Sequence, residues 1–333
     1  MLLLAGCGSG TTGNRATSTA VVIVSGLAST TPFTTTEAGC ATGLAAGGTA
    51  TALRAHLLGK GDAVYTAPAA AVRGQVHDQI GSGAFGICPT TPPETMTIDT
   101  TGSIDLAGEH LARFLDWLRT DKGVQEVDLV GHSMGGLYAR AAIRALAEIG
   151  SPVKVRSLIA IGTPWQGSYL ADHADGTVPL DDCLGDAMCE SQMTGYARDI
   201  AAAFVSGSAR ELSQAYLMGI GGWNQWQAGV LADIPVVLIA GNRFTKPGAV
   251  NPAVWPNDGI VALRSALAQD IEDAILPRRR CYTFDDTHSD YVSMVAQLPP
   301  TTSLTSDPRV LEAVAAAVAG ARQGREAPNR DGC

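Results

Sequence analysis

Short runs of β-branched and other apolar residues recur along the chain, separated by longer segments with helical apolar spacing. Runs of this kind, bounded by Gly and Pro, are typical of buried strands. The pattern predicts six strands, at residues 20–25, 62–67, 126–130, 155–161, 235–240 and 280–284. Helical spacing predicts helices at 41–58, 103–120, 137–148 and 307–321. Strands alternating with helices indicate an α/β fold, with a mostly parallel six-stranded sheet and helices on both faces.

This alternation is interrupted once, between residues 165 and 234, where no strand pattern occurs. We interpret the segment as an insertion over one edge of the sheet, within a single domain at 20–333. Its apolar residues either line a substrate pocket and cover it as a lid, or pack the insertion against the sheet. They are Phe204, Leu217, Met218, Ile220, Trp223 and Trp226.

Composition and charge narrow the class of protein. Hydrophobic residues make up 46% of the 333 residues and charged residues 17%, so a disordered chain is excluded. The net charge of −9 argues against a nucleic-acid partner. No run of 18 apolar residues is present, so the sequence predicts no membrane-spanning helix.

The first residues carry a possible export signal. Residues 4–7, Leu-Ala-Gly-Cys, resemble the bacterial lipobox, in which the Cys, here Cys7, becomes lipidated. A full signal peptide has a basic start and a longer apolar stretch. We therefore interpret residues 1–19 as a truncated lipoprotein-type signal followed by a flexible tether. This predicts a protein outside the cytoplasm, secreted or held at the cell envelope by a lipid on Cys7.

The other six cysteines agree with export, because an even number in an exported chain indicates disulfides. Proximity favours Cys183–Cys189, which leaves Cys40–Cys88 and Cys281–Cys333. The alternative is six free thiols in a cytosolic protein. The cysteines show no spacing typical of a zinc site.

Acidic residues of the insertion could bind Ca²⁺, but they match no EF-hand loop, so we predict a solvated acidic loop and no metal. These residues are Asp172, His173, Asp175, Asp181, Asp182 and Asp186.

Residues 131–135, Gly-His-Ser-Met-Gly, match G-x-S-x-G between a predicted strand and a predicted helix. That context is typical of a nucleophile elbow, in which a tight turn exposes Ser133 at the carboxyl edge of the sheet. The helix N-terminus beneath the serine favours developing negative charge. His132 precedes Ser133, and its side chain should point away from the nucleophile. The alternative is a glycine-rich turn in which Ser133 only caps the helix.

A serine nucleophile needs a base, and the base needs an orienting acid. His288 follows the last predicted strand and is the predicted base, whereas Asp258 follows the fifth strand and is the predicted acid. Ser, Asp, His is the expected chain order for such an elbow. Asp285, Asp286 and Asp290 are too near His288 in sequence to be favoured. The predicted oxyanion hole consists of the backbone N–H groups of Met134 and Leu27.

At these residues the chain resembles the α/β-hydrolase superfamily, and most of all secreted bacterial lipases and esterases. The resemblance rests on GHSMGG at 131–136, IGTPWQGS at 161–168, and NDGIV at 257–261 with His288. It implies a reduced six-stranded core with a lid or cap. It also implies a serine ester hydrolase that forms an acyl-enzyme on acyl esters or lipids and needs no cofactor. Trp223 and Trp226 would then bind the acyl chain. The family often has His-Gly where this chain has Ser25-Gly26.

Two other functions fit the same residues. One is an acyltransferase that uses the same triad and passes the acyl group to an alcohol other than water. The other is a surface lipoprotein that binds a ligand on a hydrolase scaffold without catalysis. An intact set of Ser133, Asp258 and His288 argues against the second, because a binding role gives no reason to keep a strained serine.

Overall fold

The computed structural model describes residues 19–201, 207–323 and 333. Within them the main sheet consists of β1 Thr19–Val24, β2 Val64–Thr66, β3 Glu126–His132, β4 Lys154–Ile161, β5 Val236–Gly241 and β6 Arg279–Phe284. The strand order is β6-β5-β4-β3-β1-β2. Every neighbouring pair is parallel, so the predicted α/β sheet is confirmed and is wholly rather than mostly parallel.

Helices cover both faces of this sheet. Their bounds are α1 Gly47–Gly59, α2 Ile104–Lys122, α3 Gly135–Glu148, α4 Tyr169–Ala174, α5 Ala187–Gly195, α6 Ser208–Glu211, α7 Gln214–Met218, α8 Trp223–Trp226, α9 Leu263–Ala266, α10 Asp290–Val295 and α11 Pro308–Arg322. Alternate residues of β1 show the two faces. Val22 and Val24 pack in the core with α2 and α3, whereas Val21 and Ile23 pack with α1 and α11.

Helix α1 begins six residues later than the pattern predicts. Residues Thr42–Gly43 instead form a short antiparallel ladder with Phe85–Gly86. The Cys40–Cys88 disulfide joins the two segments directly beside that ladder. The expectation of a helix from residue 41 was therefore wrong, because the ladder and the cross-link tie residues 40–43 to residues 85–88, and a bend and turn follow at 44–46. A second two-residue ladder pairs Ala69–Ala70 with Ile98–Asp99.

All three predicted disulfide pairings are present. Cys183 is bonded to Cys189, Cys40 to Cys88, and Cys281 to Cys333. The first closes a short loop between a 3₁₀ turn and α5, and the last joins β6 to the final residue of the chain. Cross-links of this kind stabilise a fold mainly by restricting the unfolded chain.

Described residues of the 165–234 insertion form helices and no strand. Trp223, in α8, is only 1% exposed, and its indole Nε1 donates a hydrogen bond to Asp105 Oδ1 at 2.9 Å. Its ring also lies 5.4 Å from the guanidinium carbon of Arg140 in α3. Trp226 is 64% exposed. The burial of Trp223 favours the packing interpretation over the expected acyl contact, and Phe204 lies outside the described residues.

Truncating the two tryptophans should therefore have unequal effects on stability. Trp223→Ala removes a buried ring and the Asp105 hydrogen bond, and we expect it to lower the free energy of unfolding by about 3–5 kcal/mol. Trp226→Ala, at an exposed site, should change it by less than about 0.5 kcal/mol. Urea unfolding of both variants measures the difference. Similar losses for both would mean that Trp226 also packs in the core.

Candidate active site

Ser133 lies in the turn between β3 and α3, where the backbone is strained. Its φ is +56°, a left-handed conformation that residues with side chains rarely adopt. Glycine is required on both sides of the turn. A Cβ at Gly131 would lie 2.5 Å from the nitrogen of Gly136, and one at Gly135 would collide with the carbonyl oxygen of Val24. The peptide N–H of Ser133 donates to Ile161 O at 2.8 Å. The turn is thus held between β1 and β4.

His288 and Asp258 are joined by two hydrogen bonds. His288 Nδ1 lies 2.7 Å from Asp258 Oδ2, and the backbone N–H of His288 donates to the Asp258 carbonyl oxygen at 2.8 Å. The other carboxylate oxygen, Oδ1, accepts from the N–H groups of Ile260 at 3.0 Å and Val261 at 2.7 Å. Both side chains are buried. Because a carboxylate only accepts, Nδ1 carries the hydrogen and Nε2 is left with a lone pair.

Glycines at the carboxyl ends of the strands make room for these side chains. Gly162 directly follows β4 and has φ +57°, and a Cβ there would lie 3.0 Å from His288 Nδ1. Gly241 ends β5, and a Cβ there would lie 2.9 Å from the Cβ of Asp258. Ile161, the acceptor for the Ser133 N–H, directly precedes Gly162. Ser133 and His288 therefore both contact the end of β4, at the edge of the sheet where such folds bind ligands.

The loop after β1 lies against the nucleophile. A Cβ at Gly26 would be 2.6 Å from the Cβ of Ser133 and 2.8 Å from the nitrogen of Met134. A turn follows, in which the Ser29 N–H donates to Gly26 O at 3.3 Å and Ala28 has φ +53°. Gly26, which directly precedes Leu27 in the chain, thus packs against Ser133 and Met134.

Sequence reasoning gave no role to His132, yet its side chain reaches the predicted base. Its Nε2 lies 2.8 Å from the backbone oxygen of His288, and the two imidazole centroids are 4.8 Å apart. Burial, and then the nearby His288, lower the pKa of His132 to about 3. No local sequence signal indicates this contact, because the two residues are 156 positions apart in the chain.

The acidic residues of the insertion have different hydrogen-bond partners. Asp172 Oδ1 accepts from the Gln214 N–H at 2.7 Å, and Asp182 Oδ2 accepts from Asn251 Nδ2 at 2.7 Å. Asp186 caps α5 by accepting from the Cys189 N–H at 3.0 Å. In the part of the chain that the structure describes, no three His, Cys, Asp or Glu residues are placed to hold a metal ion.

Asp172 should make stability depend on pH. Burial raises its pKa to about 6, above about 3.9 in an unfolded chain. A raised carboxyl pKa favours folding most below about pH 4, and this contribution is lost as the pH rises through about 6. Asp172→Asn should therefore increase the free energy of unfolding at pH 8 by roughly 1–3 kcal/mol and leave it unchanged near pH 4. Urea titrations at both values test this; a gain of the same size at pH 4 would contradict it.

Comparisons with known proteins bear on the same region. A family described as alpha/beta hydrolase fold matches residues 86–180, which include the elbow. Triacylglycerol lipases of Pseudarthrobacter phenanthrenivorans and Burkholderia plantarii are each 33% identical to this chain over 99 residues. The match covers 30% of this chain but only 26% and 23% of those proteins, about a quarter of their length.

The solved Staphylococcus hyicus lipase is similar over 94% of this chain and 98% of its own, with 16% identity and a TM-score of 0.49.

Cys7, the predicted lipidation site, lies outside the described residues. None of the helices in the described ranges is long and apolar enough to cross a membrane. The parallel six-stranded sheet, the serine elbow at its carboxyl edge and the family match identify this chain as a protein of the α/β-hydrolase fold.

Proposed function

We propose that this chain is a serine carboxylic-ester hydrolase, a lipase or esterase that forms an acyl-enzyme on acyl esters. The observation that carries the proposal is the doubly hydrogen-bonded pair of His288 and Asp258 at the edge of the sheet where the strained Ser133 emerges. The named activity of the triacylglycerol lipases that match part of the chain supports an ester or lipid substrate.

Acylation begins when Ser133 Oγ attacks the ester carbonyl carbon. His288 Nε2 accepts the hydroxyl proton, since Nδ1 already carries a hydrogen directed at Asp258. The buried Asp258 carboxylate stabilises the imidazolium that forms. The carbonyl oxygen becomes an oxyanion, and the backbone N–H groups of Leu27 and Met134 donate to it. Preorganised donors of this kind lower the barrier because they need no reorientation as charge develops.

The tetrahedral intermediate then collapses. The bond to the leaving alcohol breaks, His288 gives its proton to the departing oxygen, and Ser133 is left acylated. Water repeats the sequence in the second half: His288 accepts its proton, hydroxide adds to the acyl carbon, and the carboxylic acid leaves as Ser133 Oγ regains the proton. These residues supply every proton transfer in both halves.

The proposed compartment lies outside the cytoplasm. Three disulfides support this, because such bonds persist in oxidising environments. A lipid on Cys7 would tether the domain to the cell envelope, and without it the protein would be secreted.

The test combines substrate and label. Wild-type protein should hydrolyse p-nitrophenyl esters, and comparison of acetate with longer acyl chains distinguishes an esterase from a lipase. A fluorophosphonate should add to Ser133, located by peptide mass spectrometry. Adding a second alcohol and measuring acyl transfer separates hydrolysis from transferase activity. Absence of ester turnover by the wild-type protein would overturn the proposal, and absence of labelling at Ser133 would exclude Ser133 as the nucleophile.

A further inference from the structure

His132 is the last residue of β3 and directly precedes Ser133. It is buried, and its ring packs beside that of His288 at a centroid distance of 4.8 Å. Its Nε2 lies 2.8 Å from the backbone oxygen of His288. In the strand order, β4 and β5 separate β3 from β6, which leads into the His288 loop. The contact therefore spans the carboxyl edge of the sheet.

The partner of Nε2 sets the tautomer of His132. A carbonyl oxygen only accepts, so Nε2 carries the hydrogen and donates it. Nδ1 is then unprotonated, and this buried atom has no hydrogen-bond partner within the described ranges. The lowered pKa of His132 agrees with a neutral ring. A neutral donor holds the His288 carbonyl without placing a second cation beside the imidazolium that forms in catalysis.

Together with Asp258, this contact accounts for most polar groups of His288. The backbone N–H donates to Asp258 O and the ring Nδ1 to Asp258 Oδ2, both on the β5 side. The backbone carbonyl accepts from His132 on the β3 side. His288 is therefore held from two opposite directions, and Nε2, the atom that must meet the serine proton, is the ring nitrogen left over.

We propose that His132 is a positioning residue for His288: its Nε2–H holds the carbonyl of His288 so that the base stays aligned with Ser133. The inference rests on the proposed ester-hydrolase function. Asp258 fixes the ring on the β5 side, and the adjacent Thr287 is hydrogen-bonded to Thr302 and Leu304, but among the described residues only His132 donates to the His288 carbonyl. A displacement of about 1 Å at reacting groups can cost roughly 10²-fold in rate.

Two amide variants of His132 differ only in the length of the side chain that carries the N–H donor. His132→Gln places a side-chain N–H near the position of Nε2, whereas His132→Asn is one methylene shorter and cannot reach the His288 carbonyl. His110 in α2 is the matched control. It is also buried, and its Nδ1 lies 2.7 Å from the backbone oxygen of Thr97, away from the triad. His110→Leu removes an equivalent imidazole–carbonyl contact.

We expect His132→Asn to lower kcat and the rate of fluorophosphonate labelling by at least about 10-fold, with KM within about twofold of wild type. His132→Gln should stay within about threefold of wild type in both. His110→Leu should lower the melting temperature and leave kcat unchanged. Equal rates for Asn, Gln and wild type would overturn the proposal, as would equal losses in Asn and Gln.

A different result would overturn the proposed function. Wild-type protein that turns over no ester would overturn the hydrolase assignment. The labelling rates of the two His132 variants relative to wild type would still measure alignment of the base with Ser133. A loss of labelling that follows melting temperature equally in the His132 and His110 variants would assign His132 a structural role only.

Discussion

Ser133→Ala is expected to lower kcat for ester hydrolysis by up to about 10⁶-fold, since it removes the nucleophile and with it the acyl-enzyme route. Activity above the uncatalysed rate should remain, because the oxyanion hole and substrate binding persist. Initial rates with a p-nitrophenyl ester at high enzyme concentration measure this remaining activity.

Ser151→Ala is a suitable control. Ser151 lies just before β4, at the opposite edge of the sheet, and its hydroxyl donates to Asp116 Oδ1 at 2.7 Å. This variant should keep the wild-type kcat. The left-handed conformation of Ser133 is equally strained for alanine, so Ser133→Ala should unfold near the wild-type temperature. Retained activity in a folded Ser133→Ala protein would exclude Ser133 as the nucleophile.

Asp258→Ala is expected to lower kcat by about 10⁴-fold, less than loss of the serine. The carboxylate accepts a hydrogen bond from His288 Nδ1, with 2.7 Å between Nδ1 and Oδ2. Without it, the ring loses both its fixed tautomer and the partner for its positive charge. Its Oδ1 also accepts from two backbone N–H groups in the same loop. Circular dichroism and melting temperature must therefore accompany the kinetics, to separate chemistry from folding.

The neighbouring carboxylates provide matched controls for this experiment. Asp290 accepts from the Ser306 hydroxyl at 2.8 Å, and burial together with Asp307 raises the pKa of Asp286 to about 7. Neither side chain is hydrogen-bonded to the His288 ring, and Asn at either position should keep kcat within about threefold, as expected for residues that do not touch the reacting atoms. Near-normal activity of Asp258→Ala with a large loss in either Asn variant would move the acid role to that residue.

Most of the sheet could be predicted because strands such as β1 and β5 are buried on both faces and are continuous apolar runs between turn residues. The start of α1 could not be predicted, because the segment before it is tied by the Thr42–Gly43 ladder and the Cys40–Cys88 disulfide to partners more than 40 residues away. For Trp223, the sequence left both acyl contact and packing open for a related reason. An apolar residue in an insertion has the same pattern whether it faces a substrate or, as here, α2 and α3.

Within the candidate site, the sequence by itself determined the features that depend on residues near one another in the chain. The elbow at Ser133 is a contiguous motif whose glycines are required by backbone sterics, and chain order after successive strands singles out Asp258 and His288. Only the tertiary structure decided how these residues meet. The Asp258–His288 hydrogen bonds, the approach of Gly26 to Met134 and the reach of His132 to the His288 carbonyl each join segments that are over 25 residues apart. Such contacts depend on sheet order and loop course, which no local spacing of residue types encodes.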